Sequence, residues 1–377
     1  MSSSPTPADL SSPPAHTVGS GLLDLLKTVP DPRGRRGRQH HLSAILAVGL
    51  AAVIAGAKSF VAIGEWVAHQ PIEALRVLGV TTATGPDEST IRRVFALLDA
   101  DVLDQLVGAF MWTRTHTVGT RRVIALDGKT VRGARSKTTT APHLVAAFDH
   151  GTGAVVGQLA VTAKSNEIPA VQGLLKLFDL EGVVVTVDAM HTQTDTAEQV
   201  TGAGGDYVFT VKGNQPNLFK ACKALPWKDV PSHTVRTRGH GRTATRTIKV
   251  LTAPPWVELA GATQVAQLRR TVTTNAKKTV EVVYLVTSAD HRQAPPATLA
   301  AWVRGHWGIE NRLHWVRDVS FDEDRSQVRT GNAPQVMATL RSITISLLRL
   351  TGIKNIAQGL RHHARDPEAV LNLLLTC

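Results

Sequence analysis

From residue 121 to 213 the chain alternates short apolar runs with segments of helical spacing, and this order is the strongest constraint on its fold. The runs VIALDGKTV, PHLVAAFD and AVVGQLAVTA predict three strands, with a hairpin turn at residues 150–153 between the second and third. Helical spacing follows over 168–180 and 194–200, and each helical segment is followed by a strand, GVVVTVDAM and DYVFTVKG. Three strands, helix, strand, helix and strand together predict a mixed α/β sheet.

The region before this sheet, residues 21–119, has helical spacing and few strand-like runs, which predicts an all-helical N-terminal domain. Its most apolar run, 44–57, is shorter than the roughly 20 residues that a membrane span needs, so we expect a buried helix and no membrane partner. A short helix over 90–98 exposes Arg92 and Arg93, which favours DNA contact and structural packing equally. Residues 1–20, rich in Ser and Pro, predict a flexible leader.

The second half of the chain changes composition twice. Residues 216–295 alternate Thr, Val and Arg, which predicts an inserted, antiparallel β-rich module with its basic residues on one face. Helical spacing returns at Pro296. We therefore predict a central α/β domain over 120–345, interrupted by the insertion at 216–295, and a helical tail over 346–377.

Positive charge is concentrated in one segment. The chain has a formal net charge of +12, and the stretch 212–278 alone holds 13 Lys or Arg against two acids, Asp229 and Glu258. Such a field attracts polyanions, so double-stranded DNA is the expected partner, with a merely soluble basic surface as the alternative. The two cysteines, Cys222 and Cys377, are far apart, which indicates a reducing, cytoplasmic setting.

Three carboxylates carry the predicted chemistry. Asp127 ends the first core strand, and Asp188 ends the buried strand, so neighbouring strands would bring both to one edge of the sheet. Helical spacing in 301–321 places Glu310 on one face, the face of Val303, His306, His314 and Arg317. Oxygen ligands of this kind suit Mg²⁺, with Mn²⁺ as a substitute, and two such ions promote phosphodiester cleavage and joining.

Plainer interpretations exist for each acid. An aspartate at a strand end is commonly a turn or cap residue, and a glutamate on an amphipathic helix is commonly solvated. The spaced His306, Glu310 and His314 could instead bind zinc, although no HExxH motif is present.

Basic and histidine side chains near these positions are the predicted DNA contacts, with an ordinary surface role as the alternative for each. His191 is expected either to position a water or phosphate or to pack in its loop, and Asp318 and Asp324 are expected to support the metal ligands. The predicted DNA contacts are Lys129, Arg132, Lys212, His240, Arg242, Arg246, His306 and Arg317.

Several strings resemble one known family. ALDGKTVRGA, VDAMHTQ, YVFTVKGNQ and HWGIENRLHWVRDVSFDEDRS are similar to ISAs1-type insertion-sequence transposases, a group within the IS4-like DDE transposases. The segment LLDLLKTVPDPRGRRGRQHHL resembles the helical region that precedes the catalytic part, and the likeness covers residues 21–350. IS4-like relatives often read Y-x2-R-x3-E-x6-K around the glutamate, where this chain has Val303, His306, Glu310 and Arg317. ISAs1 relatives tend to carry an acid where this chain has Ala244.

The resemblance implies an RNase H-like catalytic core with Asp127, Asp188 and Glu310 as its acidic triad, interrupted by a β-rich insertion. It further implies binding of terminal inverted repeats, excision of the element and joining of its 3′ ends to target DNA. We expect a homodimer in the active complex and a bacterial, cytoplasmic, nucleoid-associated location. The alternatives are a metal-dependent nuclease without strand transfer and a non-catalytic DNA-binding protein with the same fold.

Overall fold

The computed structural model describes residues 21–115, 121–136, 140–161, 166–239, 241–275 and 277–376, so the predicted leader and His240 lie outside the described residues. Six helices come first: α1 Leu22–Lys27, α2 Leu42–Ile54, α3 Phe60–Ala68, α4 Ile72–Val77, α5 Glu88–Leu97 and α6 Ala100–Arg114. Asp87 and Asp99 cap α5 and α6, because each side chain accepts a backbone N–H of the first turn. This agrees with the predicted helical character of the region.

The apolar run near residue 50 forms the buried helix α2, as predicted. Every residue of α2 except Ser43 is buried, because the helix packs against α1, α3 and the long helix α12, Ala333–Leu350. In the parts of the chain that the structure describes, no helix combines the length and apolarity needed to cross a membrane.

Strands and helices follow one another from residue 123 in the predicted order. The helices α6 and α12 pack against the third of these strands. The elements are β1 Val123–Thr130, β2 His143–Asp149, β3 Val155–Ala160, α7 Glu167–Leu175, β4 Val184–Val187, α8 Thr194–Gly202, β5 Asp206–Val211 and α9 Pro216–Lys223. The antiparallel hairpins β1–β2–β3 are followed by β4 and β5, each parallel to its neighbour. The resulting strand order β3-β2-β1-β4-β5 is that of an RNase H-like core.

The inserted β-rich segment extends the same sheet. Its strands are β6 Ser232–Gly239, β7 Arg242–Thr252, β8 Gln264–Thr274 and β9 Lys277–Thr287, and β9 pairs antiparallel with β5. The described strands therefore form one nine-stranded sheet, in which β6 is the outer edge.

The prediction that basic residues lie on one face of this insertion is wrong. Arg269 and Arg270 are consecutive in β8, and side chains alternate between faces along a strand, so they point to opposite sides. Arg246 lies opposite Arg270 in the register, whereas Arg236 lies opposite Thr245, one residue out of phase with Arg246. Positive charge thus covers both faces.

Helices complete the chain after β9. They are α10 Pro296–Gly308, a π-helix Ile309–His314, α11 Trp315–Val319, a 3₁₀ turn Glu323–Arg325, α12, α13 Ile356–His363 and α14 Pro367–Thr376. α10 packs on Val123, Val184 and Val208 of β1, β4 and β5, and it also contacts β7. This packing carries the following π-helix to the edge where β1 and β4 end.

A buried carboxyl, Asp104, joins the N-terminal helices to the sheet. Its oxygens accept hydrogen bonds from Gln158 of β3 at 3.1 Å and from Gln335 of α12 at 2.9 Å, and Thr339 donates a further one. Burial raises the pKa of Asp104 to about 7 although these hydrogen bonds oppose the shift.

The stability of the protein should therefore fall as pH rises through the range between the unfolded and folded pKa values of Asp104. The folded chain keeps this proton up to about pH 7 while the unfolded chain loses it near pH 4, so unfolding releases one proton in that interval and becomes more favourable as pH rises. We expect Asp104→Asn to flatten a dependence of about 1 kcal/mol per pH unit between pH 5 and 7 in urea unfolding. Equal pH slopes in the two proteins would contradict this assignment.

Candidate active site

Strand pairing brings the two predicted aspartates together. β1 and β4 are parallel neighbours in which Leu126 lies opposite Val187, so Asp127 and Asp188 are the next pair along the two strands. Asp127 lies within β1, three residues before its end, and Asp188 directly follows β4. Their side chains differ in environment, because that of Asp127 is 20% exposed and that of Asp188 is 53% exposed.

Glu310 meets Asp127 at this edge. The two carboxyl groups lie within hydrogen-bonding reach of each other, although Glu310 remains exposed on its outer side. Burial and the negative charge of Asp127 raise the pKa of Glu310 above its ordinary value. Two acids held this close favour either a shared proton or a bound cation.

The π-helix explains why the predicted helix face is only partly correct. Its wider turn shifts the phase of the residues after Ile309. Glu310 then faces Asp127 and solvent, His314 is buried against Asp127, and Arg317 is fully buried. The apolar side chains of the same segment, Ile309, Leu313 and Val316, are all buried.

His314 supports Asp127 directly. Its Nε2 lies 3.3 Å from Oδ2 of Asp127. Burial opposes ionisation of Asp127, but the ion pair with His314 outweighs this effect and lowers the pKa of Asp127. Asp127 is therefore the ionised member of its pair with Glu310.

A second polar chain lies beneath the two aspartates. Thr186 of β4 donates to the carbonyl of Ile124 at 3.1 Å and shares hydrogen bonds with Nδ1 of His306 at 3.0 Å and with Nε2 of His150 at 3.3 Å. Burial lowers the pKa of His306, although the charges of Asp127 and Asp188 oppose the shift. Burial together with the charges of His306 and Arg312 lowers the pKa of His150 to about 3.

Sequence reasoning missed Thr186 and His150, since neither belongs to a motif. One signal was available for His150: Gly305 lies one residue before His306, and a Cβ there would lie 2.3 Å from Nδ1 of His150. A glycine inside an otherwise regular helix marks such a close approach.

Asp188 is held at the site by backbone and by one lysine. Its Oδ1 accepts a hydrogen bond from the Ala189 amide at 2.7 Å and from Nζ of Lys212 at 3.4 Å. Lys212 is half exposed, so it contacts the site while remaining open to solvent.

The donor set fits a hard divalent cation. Carboxylate oxygens are the ligands that such ions prefer, and a cation would relieve the repulsion between Asp127 and Glu310. Among the described residues no three His, Cys, Asp or Glu side chains are already arranged as a metal site. Two of the three proposed ligands, Asp127 and Glu310, already lie side by side. The half-exposed Asp188 would have to turn away from Lys212 to join them.

Three predicted DNA contacts are corrected by burial. Arg317 is completely buried and lies 2.8 Å from Glu323, so it cannot reach a phosphate. Lys129 has a side chain only 9% exposed, and its ammonium group binds Asp318 at 2.7 Å. His306 is also turned inward, toward Thr186.

The remaining predictions divide between surface and interior. Arg132, Arg242 and Arg246 stay accessible: the side chain of Arg132 is 78% exposed, Arg242 is exposed and Arg246 is half-buried. His191 is buried, with its Nε2 at 3.1 Å from Glu167, which favours the packed-loop interpretation. Glu167 also lies 2.7 Å from His143. Burial would raise the pKa of Glu167, but the contacts with His143 and His191 outweigh burial and lower this pKa to about 2.

Comparisons with known proteins show the family of the chain. Residues 119–347 match the family described as "Transposase DDE domain", and residues 23–111 match the one described as "DDE_Tnp_1-associated". The chain is 33% identical to "Putative transposase YncI" of Escherichia coli O157:H7 over 90% of each chain. It is also 33% identical to "H repeat-associated putative transposase YhhI" of Escherichia coli K12, over 94% of this chain and 96% of that one.

A solved synaptic complex of piggyBac transposase with hairpin DNA aligns with 13% identity and a TM-score of 0.41, covering 89% of this chain and 73% of that chain.

An RNase H-like core with acidic side chains gathered at the carboxyl edge of β1 and β4 defines an enzyme that acts on nucleic acid backbones. The chain belongs to the DDE transposase family, in its IS4-like branch, and is a DNA transposase. The narrower assignment to the ISAs1 type stays a prediction.

Gly305→Ala should disturb this site in a specific way. The added methyl group meets the His150 ring, so we expect unfolding free energy to fall by about 1–3 kcal/mol. Chemical denaturation measures this, and His150→Ala in the same chain should recover part of the loss. Gly202→Ala, where nothing lies within 4 Å, is the matched control, and an equal loss there would contradict the assignment.

Proposed function

We propose that this transposase binds the terminal inverted repeats of its element, cuts the DNA ends and joins them to target DNA with divalent metal ions. Asp127, Asp188 and Glu310 are the proposed ligands, with Mg²⁺ as the natural ion and Mn²⁺ as its substitute. The observation that supports this most is the contact between Asp127 and Glu310, which come from distant parts of the chain. When bound, two such ions activate an attacking oxygen and stabilise the leaving one.

The protein's own groups would prepare the site for this chemistry. His314 orients Asp127 and keeps it ionised, since its Nε2 approaches Oδ2 from the buried side. Thr186 holds the ring of His306 beside both aspartates. Lys212, now at Asp188, is placed to exchange that carboxylate for a DNA phosphate.

A basic surface continues from this edge across the insertion. Burial and the neighbouring charges of Arg270, Arg304 and Arg242 lower the pKa of Arg246, so each of these three arginines acts electrostatically on Arg246, and Arg270 lies opposite it in the register. Glu281 pairs with Arg270 at 3.8 Å, and the ring of Trp307, three residues before Glu310, lies 6.0 Å from the same guanidinium. We propose that this cluster of Arg242, Arg246, Arg270 and Arg304 binds the DNA backbone and leads it to the acids.

The rival activity is DNA hydrolysis without strand transfer. A basic surface and paired acids serve both reactions, so the products must separate them. The proposal also includes a homodimeric active complex and a nucleoid location. It keeps the domain boundaries 21–119, 120–345 with 216–295 inserted, and 346–377.

Replacing Glu310 by Gln should lower cleavage and strand transfer by about 100-fold or more. The reason is that the carboxylate beside Asp127 becomes a neutral amide, which is a poorer ligand for a divalent cation. DNA fragments from the flanks of the reading frame, incubated with Mg²⁺ and a target plasmid, provide both readouts on gels. DNA affinity should persist, and Asp229→Asn, an exposed acid of the insertion, should behave like the unchanged protein. An active Glu310→Gln enzyme would overturn the metal assignment. If the unchanged protein gave cut but unjoined ends, the nuclease alternative would be favoured.

Replacing both Arg246 and Arg270 by Ala should weaken DNA binding and reduce its dependence on salt. Each lost phosphate contact lowers the slope of log K against log salt by about 1. Fluorescence anisotropy over a range of salt concentrations measures the slope. Arg361→Ala, an exposed arginine of α13, is the control for loss of charge alone. An unchanged slope in the double variant would remove this surface from the DNA path.

A further inference from the structure

Lys129 occupies an unusual position for a lysine beside a catalytic edge. It lies two residues after Asp127 in β1, so both side chains emerge on the same face of the sheet. Unlike a surface lysine, it is almost entirely covered, with 9% of its side chain exposed. A covered ammonium group needs anionic partners.

Those partners come from the segment that follows Glu310. The Nζ of Lys129 lies 2.7 Å from Oδ1 and 2.8 Å from Oδ2 of Asp318 in α11, and 3.6 Å from Oδ1 of Asp324 in the 3₁₀ turn. One lysine of β1 therefore contacts two successive elements beyond the π-helix.

The same segment is anchored on its inner side. Glu323 is fully buried between Arg317 at 2.8 Å and Arg341 of α12 at 3.0 Å. Burial would raise the pKa of Glu323, but the two guanidinium groups lower it to about 2. Arg317 precedes Asp318 and Glu323 precedes Asp324, so each inward anchor has a neighbour that reaches Lys129.

We propose that Lys129 is a positioning residue, which holds α11 and the 3₁₀ turn against β1 and so keeps Glu310 beside Asp127. The acidic string at the end of the family motif, Asp318 to Asp324, then serves this lysine and the buried arginines instead of a metal ion. The inference rests on the proposed metal chemistry for its effect on catalysis, but the ion pair itself is testable without it.

Lys129→Met in the full-length chain is the first variant, with Lys176→Met, an exposed lysine at the end of α7, as its matched control. Supporting groups behind metal ligands typically contribute 10–100-fold to metal affinity, so we expect Mn²⁺ binding in calorimetry to weaken about tenfold or more. Lys176→Met should bind Mn²⁺ like the unchanged protein. An unchanged Mn²⁺ affinity in Lys129→Met would overturn the proposal.

The charge-reversed pair Lys129→Asp with Asp318→Lys separates a positioning role from a phosphate contact. A positioning ion pair is restored in the double variant, so Mn²⁺ affinity should recover much of what either single variant loses. The salt dependence of DNA binding should be unchanged in Lys129→Met. A slope reduced by about 1, with no recovery in the pair, would make Lys129 a phosphate contact and overturn the proposal.

An unchanged chain that binds no Mn²⁺ would refute the proposed function and leave the ion pair to be judged alone. Unfolding of the single and double variants then gives the coupling between Lys129 and Asp318. Favourable coupling would support the positioning role, and its absence would overturn it.

Discussion

Two carboxyl groups, those of Asp127 and Glu310, are held close enough to compete for one proton. The packing of the helices and strands around them can be understood from that constraint. Like charges at this distance repel, so the approach must be maintained by packing elsewhere. α10 supplies part of it, because its apolar face lies on Val123, Val184 and Val208 and fixes where the π-helix begins. His314 supplies another part by favouring the charge on Asp127.

Behind these acids the chain uses buried charge to fix geometry. Glu323 binds two arginines with essentially no exposure to water, an arrangement that is strongly destabilised when one partner is removed. It joins α11 and α12, while Asp104 joins α12, β3 and α6. The N-terminal helices and the catalytic sheet are thereby connected through polar side chains as well as through the apolar core.

Much of the fold could be predicted because its signals are local. The β-branched run before Asp188 identified a buried strand, and the apolar run at α2 identified a buried helix. The common edge of Asp127 and Asp188 was predicted on the condition that their two strands are neighbours, and β1 and β4 are parallel neighbours in the structure. Glu310 needed the helical spacing of its own segment and the family resemblance, since a single glutamate carries little information.

The errors arose where a side chain's role depends on a distant partner. Arg317 resembled a phosphate ligand, but Glu323 and the π-helix turn it into the interior. Lys129 resembled another, but Asp318 and Asp324 cover it. Basic residues of the insertion were assigned to one face, although the register of β7 and β8 places Arg269 and Arg270 on opposite sides. Periodicity alone identifies neither an added residue in a helix turn nor a salt-bridge partner.

The most direct test of this site is a crystal structure of the protein with Mn²⁺, located by its anomalous scattering. We expect a peak bound by oxygens of Asp127 and Glu310, with Asp188 turned toward it from Lys212. A peak at Asp318 and Asp324 instead, with Lys129 displaced, would contradict both the metal assignment and the role of the acids that follow Glu310.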